Sequence, residues 1–237
     1  MKISIVIPTY NEAENIKKII PMIDSALKGY NYEIVVVDDN SPDGTAKVAE
    51  KLTEQYPVRV LVREKKKGLA SAILHGFANA SGDILGVIDA DLQHPPELLD
   101  EMVRRIEDGY DIVVACRYAK GGGVEHWSFH RSLISKVATI LAKPLTKVKD
   151  PMSGYFLLRR KVIEGIHLKP FGYKLLLEIL VRGNYSKTTE VPYVFRTRGI
   201  GTSKMGWREI VEYIYQLVHL YICLLYTSDA ADDGESV

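Results

Sequence analysis

Cysteine is scarce in this chain: two in 237 residues, Cys116 and Cys223. So few, so far apart, exclude a disulfide framework and a cysteine-built metal cluster, and they fit a reducing compartment. An excess of one charge is lacking as well. The formal net charge of +1 gives no footing for bulk nucleic-acid binding. Neither a GxGxxG turn nor a GxxxxGK[ST] loop occurs, which argues against a dinucleotide or P-loop mode of holding phosphate. No uninterrupted apolar run reaches the roughly 18–20 residues needed to span a bilayer. The nearest, "IVEYIYQLVHLYICLLY" at 210–226, is broken by Glu212, Gln216 and His219. Its helical spacing predicts an amphipathic helix, either packed on the domain or lying at a membrane surface with tyrosines near the headgroups. The opening "MKISIVIPTYNE" lacks the layout of a signal peptide.

What is present is a large apolar fraction, 46%, enough for the core of one α/β domain, or of one domain with an appendage. Strand-like and helix-like segments alternate. Strands are expected at 3–8, 33–39, 58–63, 83–91 and 111–117. A helix runs from an Asn11/Glu14 capping box to about Leu27, a second opens with Ser41 as cap and Pro42 as first residue, and others cover 68–80 and about 97–108. This order implies a mostly parallel, doubly wound sheet with helices on both faces. After Arg117 come a loop at 118–127 with three glycines, a helix from about His130 to Lys147, and strands at 153–160 and 188–195. Pro192 places the last of these at a sheet edge. "RTRGIGTSKMG" at 196–206 is a basic, glycine-rich loop.

The segment "VIDADLQHPP" carries the chemistry. Residues two apart on an extended strand point the same way, so Asp89 and Asp91 are expected to face one side of a strand end. Ligands of open α/β sheets sit outside the carboxyl ends of the strands. Paired carboxylates there repel unless a cation joins them, and Mg²⁺ or Mn²⁺ suits oxygen ligands shared with substrate phosphates. Gln93 offers a further oxygen. The plainer alternative is that such acids cap the next helix. Tyr10 can stack on a base, Glu12 can accept from base or sugar, and Asp38 and Asp39 follow the second strand.

"IVIPTYNEAENI", "VVVDDNSPDGT", "KGLASAILHGF" and "VIDADLQHPPE" resemble the inverting glycosyltransferases of family 2, which have a Rossmann-like GT-A fold. "DPMSGYFLLRR" and "FRTRGIGTSKMG" resemble more narrowly the dolichol-phosphate (polyprenol-phosphate) mannosyltransferases within it, and the likeness covers about residues 1–222. The resemblance implies a GDP-mannose donor, a polyprenyl or dolichyl phosphate acceptor, and Mg²⁺ or Mn²⁺ at Asp89, Asp91 and Gln93. It places the nucleotide sugar at Pro8, Tyr10, Glu12, Asp39 and Ala90. The signature QxxRW of many processive polysaccharide synthases is missing, since Gln216 is followed by "LVHL".

The remaining cations suit that chemistry. Arg198 and Lys204, on the glycine-rich loop, are expected to close over the diphosphate; the alternative is a solvated basic hairpin. A phosphomonoester acceptor, with a second pKa near ~6, is largely dianionic at neutral pH and needs positioning cations more than a base. Arg117 at a strand end, with Arg131 and Ser135 four apart on one helix face, form a candidate phosphate grip. Asp150 is open between orienting an arginine and acting as a base. His94, beside the metal motif, is a candidate outer partner of the metal site. Rival readings are UDP-glucose or another nucleotide sugar, with undecaprenyl phosphate or a sugar hydroxyl as acceptor, and a non-catalytic scaffold of the same fold.

The expected organisation is a catalytic domain at 1–206, an amphipathic helix at 207–224 resting on the cytoplasmic leaflet of a membrane, and a tail at 225–237. The acidic, small-residue ending "YTSDAADDGESV", with the preceding "CLL", resembles translated sequencing adapter. The alternative is a disordered acidic tail. On the first reading the natural chain diverges near Cys223 and continues, with a membrane-anchoring segment or subunit as a further partner.

Overall fold

A computed structural model describes residues 1–64, 68–125, 129–169, 174–197 and 207–232. The first half alternates strand and helix: β1 (Lys2–Thr9), α1 (Ala13–Ala26), β2 (Asn31–Asp38), α2 (Thr45–Leu52), β3 (Val58–Val62), α3 (Leu69–Asn79), β4 (Ile84–Val87), α4 (Leu99–Glu107) and β5 (Ile112–Cys116). Then follow β6 (Gly123–Val124), α5 (Phe129–Ala142), β7 (Phe156–Arg159), α6 (Leu175–Arg182), β8 (Thr188–Pro192), β9 (Val194–Phe195) and α7 (Trp207–Asp232).

Seven strands form one sheet in the order β3-β2-β1-β4-β7-β5-β8. All pairings in it are parallel except the two made by β7. The middle strands are apolar on both faces because helices cover both: Ile3, Ile5 and Ile7 join one core cluster and Val6, Val35 and Val37 the other. In α1, Ile16, Ile19, Ile20 and Ile23 recur at helical spacing and are fully buried, the stripe expected of a helix lying on a sheet.

This topology gathers the site. The carboxyl ends of β1, β2, β4, β5 and β8 share one sheet edge, and β7, running the other way, brings its preceding segment, residues 150–155, to the same edge. Strand order reverses between β1 and β4, where a doubly wound sheet opens its crevice. Pro192 ends β8, an edge strand, as its missing N–H requires.

Several local expectations are corrected. Asn11 does not begin a capping box: it has φ +59°, and the N-cap residue of α1 is Glu12, whose side chain makes no capping bond. Ser41 and Pro42 do not open α2, which starts at Thr45. Asp43 serves both helix starts instead, accepting from the backbone N–H of Ala13 (3.0 Å) and of Thr45 (3.0 Å). Two adjacent strand-to-helix turns therefore share one cap. The helix expected to reach Lys147 ends at Ala142 in a short 3₁₀ turn. The loop at 118–127 contains β6, paired with β9. α7 itself runs to Asp232, past the 207–224 span expected of the amphipathic helix, and 233–237 lie outside the described residues.

Candidate active site

The strand expected at 83–91 ends at Val87, so Asp89 and Asp91 do not sit on an extended strand. They lie in a tight turn in which Leu92 has φ +62°. The two carboxylates are consequently unequal. Asp91 is buried and its Oδ1 accepts from the Gln93 backbone N–H (3.1 Å), whereas the Asp89 side chain is 31% exposed. Ala90 between them is buried. Gln93 is held on both sides by Arg196: its carbonyl accepts from the Arg196 N–H (2.9 Å), and its side-chain Nε2 donates to the Arg196 carbonyl (2.9 Å). The basic segment carrying Arg198 and Lys204 starts from this clamp, although both residues lie outside the described ones.

His94 packs behind this turn. Its ring is caged by Tyr155, Tyr193 and Phe195 at centroid distances of 5.4, 5.7 and 5.3 Å. Burial pulls its pKa down to about 4, with Arg117 lowering it further and Asp91 opposing, so the imidazole is neutral. Tyr193 is buried with its hydroxyl lacking a hydrogen-bond partner among the described residues. Burial pushes its phenol up; Arg117 opposes this, while Asp150 and Asp89 add to it. Tyr193 thus stands between the carboxylate turn and the second half of the site.

That second half is a buried ion pair. Arg117, just past β5, donates through Nε to Asp150 Oδ2 (2.7 Å) and through Nη2 to Oδ1 (2.7 Å), while its backbone N–H reaches Oδ2 (3.1 Å). Asp150 is fully buried. Burial alone would lower the arginine's pKa; the bonds and charge of Asp150 outweigh it and hold the guanidinium above its ordinary value. Next to Arg117, the Tyr118 hydroxyl shares a hydrogen bond with Ser135 of α5 (2.8 Å). Arg131 lies one turn earlier on α5, its side chain outside the described residues.

At the β1 and β2 ends, Pro8 is buried and Tyr10 and Glu12 are half-buried. Glu12 accepts from the Asn15 amide (2.6 Å) and presents its backbone N–H to the Thr45 hydroxyl (2.9 Å). Asp38 turns inward, accepting from Thr9 (2.9 Å) and from the Ser41 hydroxyl (2.6 Å) and N–H (2.8 Å). Asp39 is buried against Arg63, whose Nε donates to its Oδ1 (2.6 Å). Arg63 was not visible as a site residue: nothing near "LVRE" marks it until β2 and β3 are paired.

Two further residues emerge only from the fold. Lys174, just before α6, donates from Nζ to the Met152 carbonyl (3.1 Å), and Gln216 of α7 donates to the Lys174 carbonyl (3.2 Å). One residue thus ties α7 to the DPMSG segment. Gly154 of that segment faces Asp89: a Cβ there would stand 3.1 Å from Asp89 Oδ2, so the glycine leaves a cradle for the carboxylate.

The donor set fits a divalent cation. Two carboxylates and an amide oxygen at alternate positions are hard ligands, Asp89 opens toward solvent, and Gly154 leaves it room. Among the described residues no cluster of three or more His, Cys, Asp or Glu could cage a metal. Paired carboxylates on a turn suit an ion that completes its shell with substrate oxygens, as Mg²⁺ does.

Comparison with known proteins identifies the family. Residues 4–166 match the family described as Glycosyl transferase family 2, and the chain belongs to that family and has the GT-A fold. More narrowly, it is 50% identical over 224 residues to a dolichol-phosphate mannosyltransferase of Pyrococcus furiosus, covering 93% of this chain and 64% of that one. A dolichol-phosphate mannosyltransferase of Saccharomyces cerevisiae is 36% identical over 232 residues, covering 92% of this chain and 86% of the yeast protein. This chain thus spans just under two thirds of the archaeal relative. Among solved structures, a mannosyltransferase from Pyrobaculum calidifontis in complex with GDP-Man and Mn²⁺ shares the fold at TM-score 0.64 and 20% identity, covering 92% of this chain and 64% of that one. Glucosyl-3-phosphoglycerate synthase from Mycobacterium tuberculosis shares it at TM-score 0.67 and 20% identity, covering 94% and 79%.

Proposed function

We propose that this chain transfers mannose from GDP-mannose to a dolichyl or related polyprenyl phosphate, with inversion, using Mg²⁺ or Mn²⁺ held by Asp89, Asp91 and Gln93. One observation carries the reading. An acidic turn able to share a cation with a diphosphate and a guanidinium fixed to meet a phosphate stand at the same sheet edge, separated by Tyr193 and Phe195. Relatives at 36–50% identity named dolichol-phosphate mannosyltransferase support it.

The work divides among the chain's residues. Tyr10 and Glu12 offer a ring and an acceptor to the nucleoside, beside buried Pro8. Asp39, set by Arg63, and Ala90 complete the donor wall. Asp89, Asp91 and Gln93 would hold a divalent ion, which would supply Lewis-acid stabilisation for the charge that grows on the leaving diphosphate. Arg198 and Lys204 add positive charge there. Arg117, with Arg131 and Ser135, holds the acceptor phosphate for in-line attack on the anomeric carbon. The dianionic acceptor is already a nucleophile and requires no base. Both Asp150 oxygens are taken by Arg117, so Asp150 acts as a positioning residue rather than as a proton acceptor.

The acceptor's lipid tail favours a membrane-facing site, and the surface beside Ser135 suits one. On α5, Leu133, Ile134, Val137, Ile140 and Leu141 are exposed, and on α7 so are Val211, Ile214, Tyr215, Val218 and Ile222. The two helices lie side by side: Tyr213 Oη donates to the Ala138 carbonyl (2.6 Å) and Tyr221 Oη to that of Leu141 (2.7 Å). Apolar exposure on this scale marks an interaction surface. No helix among the described residues is long and apolar enough to cross a membrane. We therefore place this face on the surface of a bilayer, at the cytoplasmic leaflet, with α7 lying in the interface.

Calorimetric titration with GDP and UDP, with and without Mn²⁺, tests the donor. The reading expects metal-dependent binding with GDP tighter; tighter UDP overturns the mannose assignment, and no nucleotide binding at all favours a scaffold.

A further inference from the structure

We propose that His94 is a positioning residue for Asp89: its Nδ1–H donates to the Asp89 carboxylate and fixes the orientation in which that carboxylate meets a divalent cation. This rests on the reading that Asp89 is a metal ligand.

The His94 Nδ1 is buried and has no hydrogen-bond partner among the described residues. The carboxylate oxygen facing it, Asp89 Oδ2, is 3.6 Å away, just beyond hydrogen-bond range. A buried donor left without a partner is costly, so the gap favours closure. Only one side is able to close it. The imidazole is wedged among three aromatic rings, whereas the Asp89 side chain is 31% exposed and has room to turn. The opposite tautomer would aim a nitrogen lone pair at a carboxylate, so the proton belongs on Nδ1.

Gly154 keeps the corridor open. A Cβ at that position would lie 3.1 Å from Asp89 Oδ2 and 3.6 Å from His94 Cε1, filling the space through which the carboxylate swings. The DPMSG segment thus serves both halves of the site: Asp150 holds Arg117, and Gly154 frees Asp89 to reach His94. Outer partners that orient a metal ligand are worth roughly 10–100-fold in metal affinity.

The test is a Mn²⁺ titration of the full chain in the presence of GDP, with free Mn²⁺ read by electron paramagnetic resonance. Asp89→Ala should lose the site. His94→Ala should weaken Mn²⁺ binding about 10–100-fold. His94→Asn, whose amide N–H stands near the Nδ1 position, should restore most of the affinity, and His94→Gln, which reaches the Nε2 position, should not. If Asp89→Ala loses Mn²⁺ while His94→Ala binds it as tightly as wild type, the inference fails and the metal reading stands. Equal affinities for His94→Asn and His94→Gln also overturn it, because the histidine is then only filling space. Wild-type affinity in Asp89→Ala overturns both. Should His94→Ala fail to fold, the comparison of His94→Asn with His94→Gln carries the test: tighter Mn²⁺ binding by His94→Asn supports the inference and equal binding refutes it.

Discussion

Arg117 and Asp150 form a bidentate pair, 33 positions apart in sequence, in which a fully buried carboxylate holds a guanidinium at the end of β5. A charge removed from such a pair leaves its partner buried and uncompensated. Asp150→Ala should therefore cost about 3–5 kcal/mol of folding stability, measured by urea denaturation. Asp150→Asn, if it folds, should raise the acceptor KM more than the donor KM, because Arg117 loses its fixed direction. An acceptor KM equal to wild type would mean that Arg117 does not hold the acceptor.

The pair Arg63–Asp39 makes the matching prediction on the donor side. Arg63→Ala removes the guanidinium paired with the buried Asp39 carboxylate and should also destabilise by about 3–5 kcal/mol. Its kinetic signature is opposite: the donor KM rises while the acceptor KM holds. Arg63→Lys keeps the charge but not the fork and should fall between the two. Steady-state kinetics with each substrate varied in turn separates the cases.

Of the three consecutive glycines after Arg117, only the middle one is tightly packed. A Cβ at Gly122 would stand 2.7 Å from the Cys116 carbonyl oxygen and 2.8 Å from that of Arg117, whereas at Gly123 it would meet nothing within 4 Å. Backbone atoms cannot step aside as side-chain tips do. Gly122→Ala should shift the end of β5 and lower kcat/KM for the acceptor, while Gly123→Ala should behave as wild type. Equal activity of the two variants would contradict this.

The apolar face of α5 and α7 predicts membrane binding that can be separated from chemistry. Ile140→Glu with Val218→Glu changes two exposed side chains, so stability should change by no more than about 0.5 kcal/mol per site. Co-sedimentation with phosphatidylcholine/phosphatidylglycerol vesicles should fall sharply, while turnover of a short, water-soluble polyprenyl phosphate persists. Unchanged sedimentation would remove the membrane from the account.

Much of this was legible in the sequence, for physical reasons. Buried parallel strands are near-continuous apolar runs, so β1, β2, β4 and β5 announce themselves, and the acids and the arginine that follow them fall at the ligand-binding edge. The helix starts were misplaced because caps are not always local: Asp43 reaches across to Ala13, a contact that no spacing rule contains. The extended geometry expected of Asp89 and Asp91 gave way to a turn because β4 stops at Val87. α6 lacks a start signal, since "KLLLEILVR" follows directly on a segment with no regular pattern. Arg63, Lys174, Gly154 and Tyr193 acquire meaning only once strands distant in sequence lie side by side.

The most direct measurement is incorporation of radiolabel from GDP-mannose into organic-extractable material, with a polyprenyl phosphate acceptor and Mg²⁺ or Mn²⁺. The account predicts a mannosyl-phosphate lipid of β configuration, formed only with metal and abolished in Asp91→Ala. Metal-independent transfer, undiminished turnover by Asp91→Ala, or label passing to lipid from UDP-glucose but not from GDP-mannose would contradict it.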